Sequence, residues 1–289
     1  QTVTKAAPNQ PQTATKLLIE YSSPSQTTAT NLVTPPDNPQ FIGPVLPKTN
    51  NTKIVTPPTH KSATLATSEF IDLQKAPPEW RSHIQDLALL GVFAIDSQTT
   101  PEFQPDQIIT RREYARWLVN ANNTMYSNNP AKQIRLASPS TQPAFRDILS
   151  QDADFPLIQG LAEAGLINSI LSGDATAVLF RPDAPLTREQ LLLWKVPLDT
   201  RQALPSANLE AVKQTWGFQD AGNIEPKALK AILADFQNAE QSNIRRVFGY
   251  TTLFQPKKPV TRAEAGAALW YFGTPGEGIS ATEALKLKN

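Results

Sequence analysis

A chain of 289 residues with 27 Lys and Arg against 26 Asp and Glu carries a formal charge of +1, which excludes a global field for nucleic acid or a membrane surface. It has no cysteine, so disulfides, thiolate metal sites and cysteine nucleophiles are excluded together. Hydrophobic residues at 40% suffice for a core, but 26 prolines against 12 glycines predict that much of the chain is non-globular, and no apolar run reaches the roughly 18 to 20 residues that span a bilayer.

The chain begins at Gln1 and its one methionine is Met125, which reads as a processed chain with a removed secretory signal as one ordinary route. Residues 1–65 are rich in Thr, Pro, Gln, Asn and Ser, with Pro35-Pro36 and Pro57-Pro58, and are predicted to form an extended or disordered linker. Three short apolar patches, 17–21, 41–46 and 53–55, interrupt it; docking of these patches on a neighbour is the alternative.

From Phe70 the pattern becomes helical. Trp80, Ile84, Leu87 and Leu90 recur at intervals of three and four and stop at Gly91, a residue suited to the left-handed position after a helix. A second stretch repeats this with Ile158, Leu161, Ala164 and Gly165, and a third runs through Leu229, Ile232 and Leu233 without the glycine stop. The three openings match: Phe70-Ile-Asp72, Phe145-Arg-Asp147 and Phe218-Gln-Asp220. A second phrase follows each, Phe103-Gln-Pro to Thr110-Arg111, Phe180-Arg-Pro to Thr187-Arg188 and Phe254-Gln-Pro to Thr261-Arg262, always with seven residues from Phe to Thr. One structural unit has thus been built three times, over 66–126, 140–200 and 214–274, followed by a polar tail, 275–289. Second helices are predicted at 114–119, 191–196 and 265–272, carrying Trp117, Trp194 and Trp270; matching apolar faces would let them pack around an approximate threefold axis.

Most of the repeated phrase has a structural explanation. Thr110 and Thr261 lie three residues before Glu113 and Glu264, and Thr187 three before Gln190, which is a capping box worth about 0.5 to 2 kcal/mol for each cap. The Phe-x-Pro element reads as a buried ring followed by a rigid turn, and the Phe-x-Asp openings as caps or turns. Capping leaves Arg111, Arg188 and Arg262 unexplained, because a cation at the first helical position opposes the macrodipole by about 0.3 to 1 kcal/mol. Two readings stand. Free amides at the helix start together with a guanidinium would form a site for a carboxylate or phosphate. Alternatively, each arginine forms an inter-repeat salt bridge to Asp72, Asp147 or Asp220.

Other candidates read as structure. His60 falls in the linker and His83 beside Trp80, with no partner at metal-ligand spacing; Asp152 and Asp154 lack a calcium-loop pattern; Arg245-Arg246 and Lys257-Lys258 read as solvated surface, with contact to an anion as the alternative. No glycine-rich phosphate loop or serine-nucleophile elbow is present, and neither a cofactor nor a metal is expected.

With these residues in view the chain resembles three tandem S-layer homology domains, from about Phe70 to Gly273. The resemblance implies an all-α fold: three helical repeats in a pseudo-threefold arrangement around a central three-helix bundle, preceded by the extended N-terminal segment. It further implies a non-catalytic, secreted protein of the cell envelope (periplasm or cell surface) that binds acidic cell-wall polysaccharide, pyruvylated glycan included, or another peptidoglycan-linked polymer, in grooves between repeats. The family's basic residue falls on Arg111, Arg188 and Arg262, and its acidic and aromatic positions on Asp72 and Trp80; Asp147 and Asp220 keep the acidic position. Trp80 would offer an apolar face to sugar rings. Its place is taken by Asp154 or Phe155 in the second unit and Ala228 in the third, which implies that at least one groove is altered. The alternative is a structural subunit whose degenerate triple repeat binds a protein partner in a membrane-associated complex, with the N-terminal segment wrapping that partner. Neither nucleic acid nor a transmembrane span is expected.

Overall fold

A computed structural model describes residues 70–93 and 102–288; the predicted linker, its apolar patches and His60 lie outside the described residues. The architecture is all-α apart from one small hairpin. In chain order the helices are α1 (Pro78–Leu89), α2 (Arg111–Met125), α3 (Phe155–Glu163), α4 (Arg188–Thr200), α5 (Leu209–Trp216), α6 (Leu229–Gln237), α7 (Asn243–Phe248), α8 (Arg262–Leu269) and α9 (Ala281–Lys288). Strands β1 (Tyr271–Phe272) and β2 (Ile279–Ser280) pair antiparallel between α8 and α9.

The helices begin and end where local chemistry requires. Proline at the first position opens α1, where its missing N–H costs nothing, and Gly91 past its end takes φ +76°; Gly165 does the same after α3 at +68°. Thr110 and Thr261 accept from the amides of Glu113 and Glu264 at 3.2 Å, and the Glu264 carboxylate reaches back to the Thr261 amide at 2.8 Å. Gln190 returns to the Thr187 amide at 3.3 Å.

Each unit is tied to itself by the same two devices. Its two phenylalanines pack on one another, Phe70 on Phe103 at 5.3 Å, Phe145 on Phe180 at 5.5 Å and Phe218 on Phe254 at 5.3 Å between ring centroids. Its aspartate grips the Phe-x-Pro turn: Asp72 accepts from the amides of Phe103 (2.7 Å) and Gln104 (2.8 Å), Asp147 from Phe180 (2.8 Å) and Arg181 (2.7 Å), Asp220 from Phe254 (2.9 Å) and Gln255 (2.6 Å). Gln104, Arg181 and Gln255 stand at φ 54°, 57° and 54°, a left-handed conformation costing a non-glycine residue about 1 to 2 kcal/mol, and the carboxylate's two charge-assisted bonds offset it.

The units are joined in a closed ring. The Ile109 amide donates to Val260 (3.0 Å), Val260 to Leu186 (2.9 Å) and Leu186 back to Ile109 (3.0 Å), all three side chains being fully buried. Around this ring α1 packs on α8 and α9, α2 on α3, α4 on α6, and α7 on α8.

Three details differ from the sequence reading. Trp270 is not the equivalent of Trp117 and Trp194: counted seven residues from Thr261 that position is Ala268, and Trp270 lies past the end of α8 at Leu269, before β1. Trp270 instead stacks on His83 (4.1 Å, 22°) and donates to Asp86 (3.0 Å). Residues 275–288, expected as a polar tail, supply β2 and α9, whose Ala281 and Ala284 are buried. Helices α5 and α7 were not predicted; both carry their own caps, Asn208 to the Ala211 amide (2.8 Å) and Ser242 to Arg245 (3.3 Å).

Candidate functional site

The three arginines open α2, α4 and α8 at equivalent places, and each reaches into the next unit around the ring. The helix-start amides are not free for an anion, because the turn of the next unit takes them: Arg111 and Arg112 donate to Ala184 and Pro182, Arg188 and Glu189 to Lys258 and Pro256, Arg262 and Ala263 to Gln107 and Pro105, all at 2.8–3.1 Å. Six backbone donors thereby close the units onto one another, and any ligand chemistry falls to the guanidinium alone.

Each guanidinium also touches the next unit's Phe carbonyl and an aromatic face. Arg111 Nε donates to Phe180 O (2.7 Å) and lies 4.8 Å from the Trp194 ring centroid; Arg262 Nε donates to Phe103 O (2.7 Å) and lies 4.8 Å from Trp117. Arg188 donates to Phe254 O (3.1 Å), but Ala268 offers it no ring, and α7 supplies Phe248 at 4.2 Å instead.

The carboxylate partners are not the aspartates. Asp72, Asp147 and Asp220 hold backbone amides, as described above. Arg262 pairs with Glu113 and Arg188 with Glu264 at 3.2 Å, so the glutamates read as caps also receive the arginine of the preceding unit. The third member of that series is Gln190, which is neutral. Arg111 accordingly has no carboxylate partner among the described residues. Burial, with repulsion from Arg181, draws its pKa down to about 10 against the pull of Asp147. The sequence carried this signal in the alternation Glu113, Gln190, Glu264, which capping chemistry alone treats as equivalent.

Arg111 faces a cleft of about 580 Å³ bounded by the turn of the second unit and by α4, with Arg181 and Lys227 as further cations and Gln190 on its wall. Of its anions, Glu225 is paired with Lys257 (2.9 Å) and Lys227 (3.3 Å), whereas among the described residues Asp174 accepts only neutral donors, Thr176 Oγ1 at 2.6 Å included. Trp194 is 2% exposed, its face covered by Arg111, so it orients the cation rather than stacking on a ligand. Trp80 is partly buried against the core, and the rings beneath Arg262 are Phe103 and Trp117 instead.

The remaining motifs have structural partners. Arg112 joins Asp152 (2.7 Å) and Asp154 (2.9 Å), and Arg116 grips Asp154 with two bonds of 2.8 Å, locking α2 to α3. Arg246, expected at the surface, bonds Ala267 O, Gln241 O, Asn243 Oδ1 and Ala268 O, and Lys257 joins Glu189. Among the described residues no His, Asp and Glu cluster has metal-binding geometry, and no helix is long and apolar enough to cross a membrane. No protein-family model matches the chain, and no curated protein matches it in sequence.

Proposed function

We propose that the chain is a non-catalytic anchoring protein of the cell envelope, built from three S-layer homology repeats about a pseudo-threefold axis, that binds a carboxylate-bearing wall glycan at Arg111. The ring of hydrogen bonds through Ile109, Leu186 and Val260, and the like contacts of the three arginines, support that arrangement. The observation that carries the function is the asymmetry at the capping position: Glu113 and Glu264 neutralise two arginines, whereas Arg111 faces Gln190 across an open cleft. A guanidinium partly desolvated and lacking a counter-ion binds a planar carboxylate strongly, because part of the dehydration cost is met by the fold and the bond is charge-assisted. The acidic group of the glycan would take the place that the glutamates hold in the other two contacts.

Co-sedimentation with purified cell-wall sacculi tests this. The wild-type chain is expected to bind, and Arg111→Gln to lose about tenfold or more of its affinity, the effect of one charged hydrogen-bonding partner. Gln190→Glu is expected to weaken binding to a similar degree by supplying an internal carboxylate. Undiminished binding of both variants, or no binding by the wild type, would sink the reading and favour a protein partner instead.

A further inference from the structure

The third unit carries another guanidinium without an anion, away from the inter-unit contacts. Arg245 and Arg246 are neighbours on α7, yet their surroundings are opposite. Arg246 makes four hydrogen bonds inside the fold. The side chain of Arg245 has no hydrogen-bond acceptor among the described residues; it is half-buried against three rings, Phe236 at 5.0 Å, Trp216 at 5.3 Å and Tyr250 at 5.9 Å from the centroids. Contact with ring faces holds a cation in place while leaving its in-plane N–H donors unpaired.

A cleft of about 330 Å³ opens beside these residues. Tyr250 rims it and is 81% exposed, the highest value among the large hydrophobic side chains of the fold. Its hydroxyl donates to the carboxylate of Glu240 (3.1 Å), which favours an orientation with the ring face toward solvent. The Thr251 hydroxyl is taken up by Leu253 O at 3.0 Å; that of Thr252, on the same rim and exposed, has no partner among the described residues.

We propose that this cleft binds a pyranose bearing a carboxylate, such as a uronic acid residue. The guanidinium of Arg245 pairs with the carboxylate, the Tyr250 ring covers the apolar face of the sugar, and Thr252 meets a ring hydroxyl. The volume lies at the lower end of the roughly 300 to 1,000 Å³ of small-molecule sites, which fits a single sugar ring better than a peptide helix. An exposed aromatic face beside an unpaired cation suits an acidic sugar, since a neutral one has no use for the cation. The proposal uses none of the residues at the Arg111 cleft and stands or falls separately from it.

Nitrogen-15 NMR of the whole chain provides the test, with the Trp216 indole N–H as reporter, since that group is fixed on Ile232 O at 2.9 Å beneath the site. Methyl glucuronide is expected to shift this resonance and methyl glucoside at equal concentration to leave it in place. Arg245→Gln should weaken binding about tenfold or more, as expected for loss of a charged partner, and Tyr250→Ala should weaken it while the indole signal stays at its native position. Equal binding of the two glycosides, wild-type affinity in Arg245→Gln, or no shift with the glucuronide overturns the proposal. Acetate binding as tightly as the glucuronide overturns the sugar assignment.

Discussion

Phe248 lies under the guanidinium of Arg188 where a tryptophan lies under Arg111 and Arg262. It comes from α7, a helix with no counterpart among the described residues of the other two units, and it fills the space opened by Ala268 in α8. Phe248→Ala is therefore expected to act on the fold: removing a partly buried ring beside a buried cation should cost about 2 to 3 kcal/mol in urea denaturation. Adding Ala268→Trp to that variant should restore part of the loss. If the single change is neutral, the ring is not a substitute for the missing tryptophan.

The arginines should separate by stability. Arg262→Gln removes both an ion pair with Glu113 and a bond to Phe103 O, and should cost about 2 kcal/mol. Arg111→Gln, with no carboxylate to orphan, should cost less than half of that. Gln190→Glu should instead stabilise the chain by about 1 kcal/mol through the new pair with Arg111. Thermal melts of the three variants give the order directly, and equal losses for Arg111 and Arg262 would contradict the asymmetry.

Asp147 holds the left-handed residue Arg181 through its amide, so Asp147→Ala should cost about 2 kcal/mol and expose the strain at φ 57°. Arg181→Gly in that background should recover about 0.5 to 1 kcal/mol, because glycine adopts this conformation freely. Without recovery, strain at this turn is not what the aspartate offsets.

Much of this was readable from the residues. The packing of the Phe-x-Asp on the Phe-x-Pro elements and the caps at Thr110 and Thr261 follow from local chemistry, which sequence spacing reports faithfully. The arginine partners were not readable, because Glu113 and Glu264 serve a cap within their own helix and an ion pair from another unit at once, and only the second role requires knowing which units touch. The role of the aspartates was hidden similarly: their bonds run to backbone amides more than 30 residues away, which no side-chain pattern records. Trp270 misled because its spacing from Thr261 is two residues longer than that of Trp117 from Thr110 or Trp194 from Thr187.

Lys195 is fully buried, bonded to Asp199 and to Tyr271 O (2.8 Å), with its ammonium 3.8 Å from the Phe272 ring centroid. Burial lowers its pKa from 10.5 to about 8, Asp199 opposing. The unfolded chain keeps this proton to higher pH, so between about pH 8 and 10 the unfolded state binds more protons and this group makes stability rise with pH. Urea midpoints should show the rise in the wild type and lose it in Lys195→Met, which should also be less stable by about 3 kcal/mol at pH 7 because Asp199 loses its partner. A flat wild-type profile would refute this assignment.

His83 gives the opposite limit in acid. Its ring is stacked on Trp270, its Nδ1 is buried without a partner, and burial together with Arg246 lowers its pKa below 6.5, against Asp86. Stability from the neutral ring is complete above pH 6.5 and declines as pH falls toward the folded pKa, since protonation favours the unfolded chain. His83→Phe, which keeps the stack, should flatten the decline below pH 6.5 in thermal melts. An unchanged decline would assign it to other groups.

The hydrogen-bond ring through Ile109, Val260 and Leu186 also sets how this chain can fold and diverge. An open array of repeats can be lengthened or shortened one repeat at a time, because each repeat rests only on its neighbours. Here the last unit donates to the second and receives from the first, so deleting any one leaves two severed edges rather than a shorter array. Closure is therefore expected to couple the folding of the three units. The three arginine contacts can nevertheless diverge one at a time, as Gln190 and Ala268 illustrate.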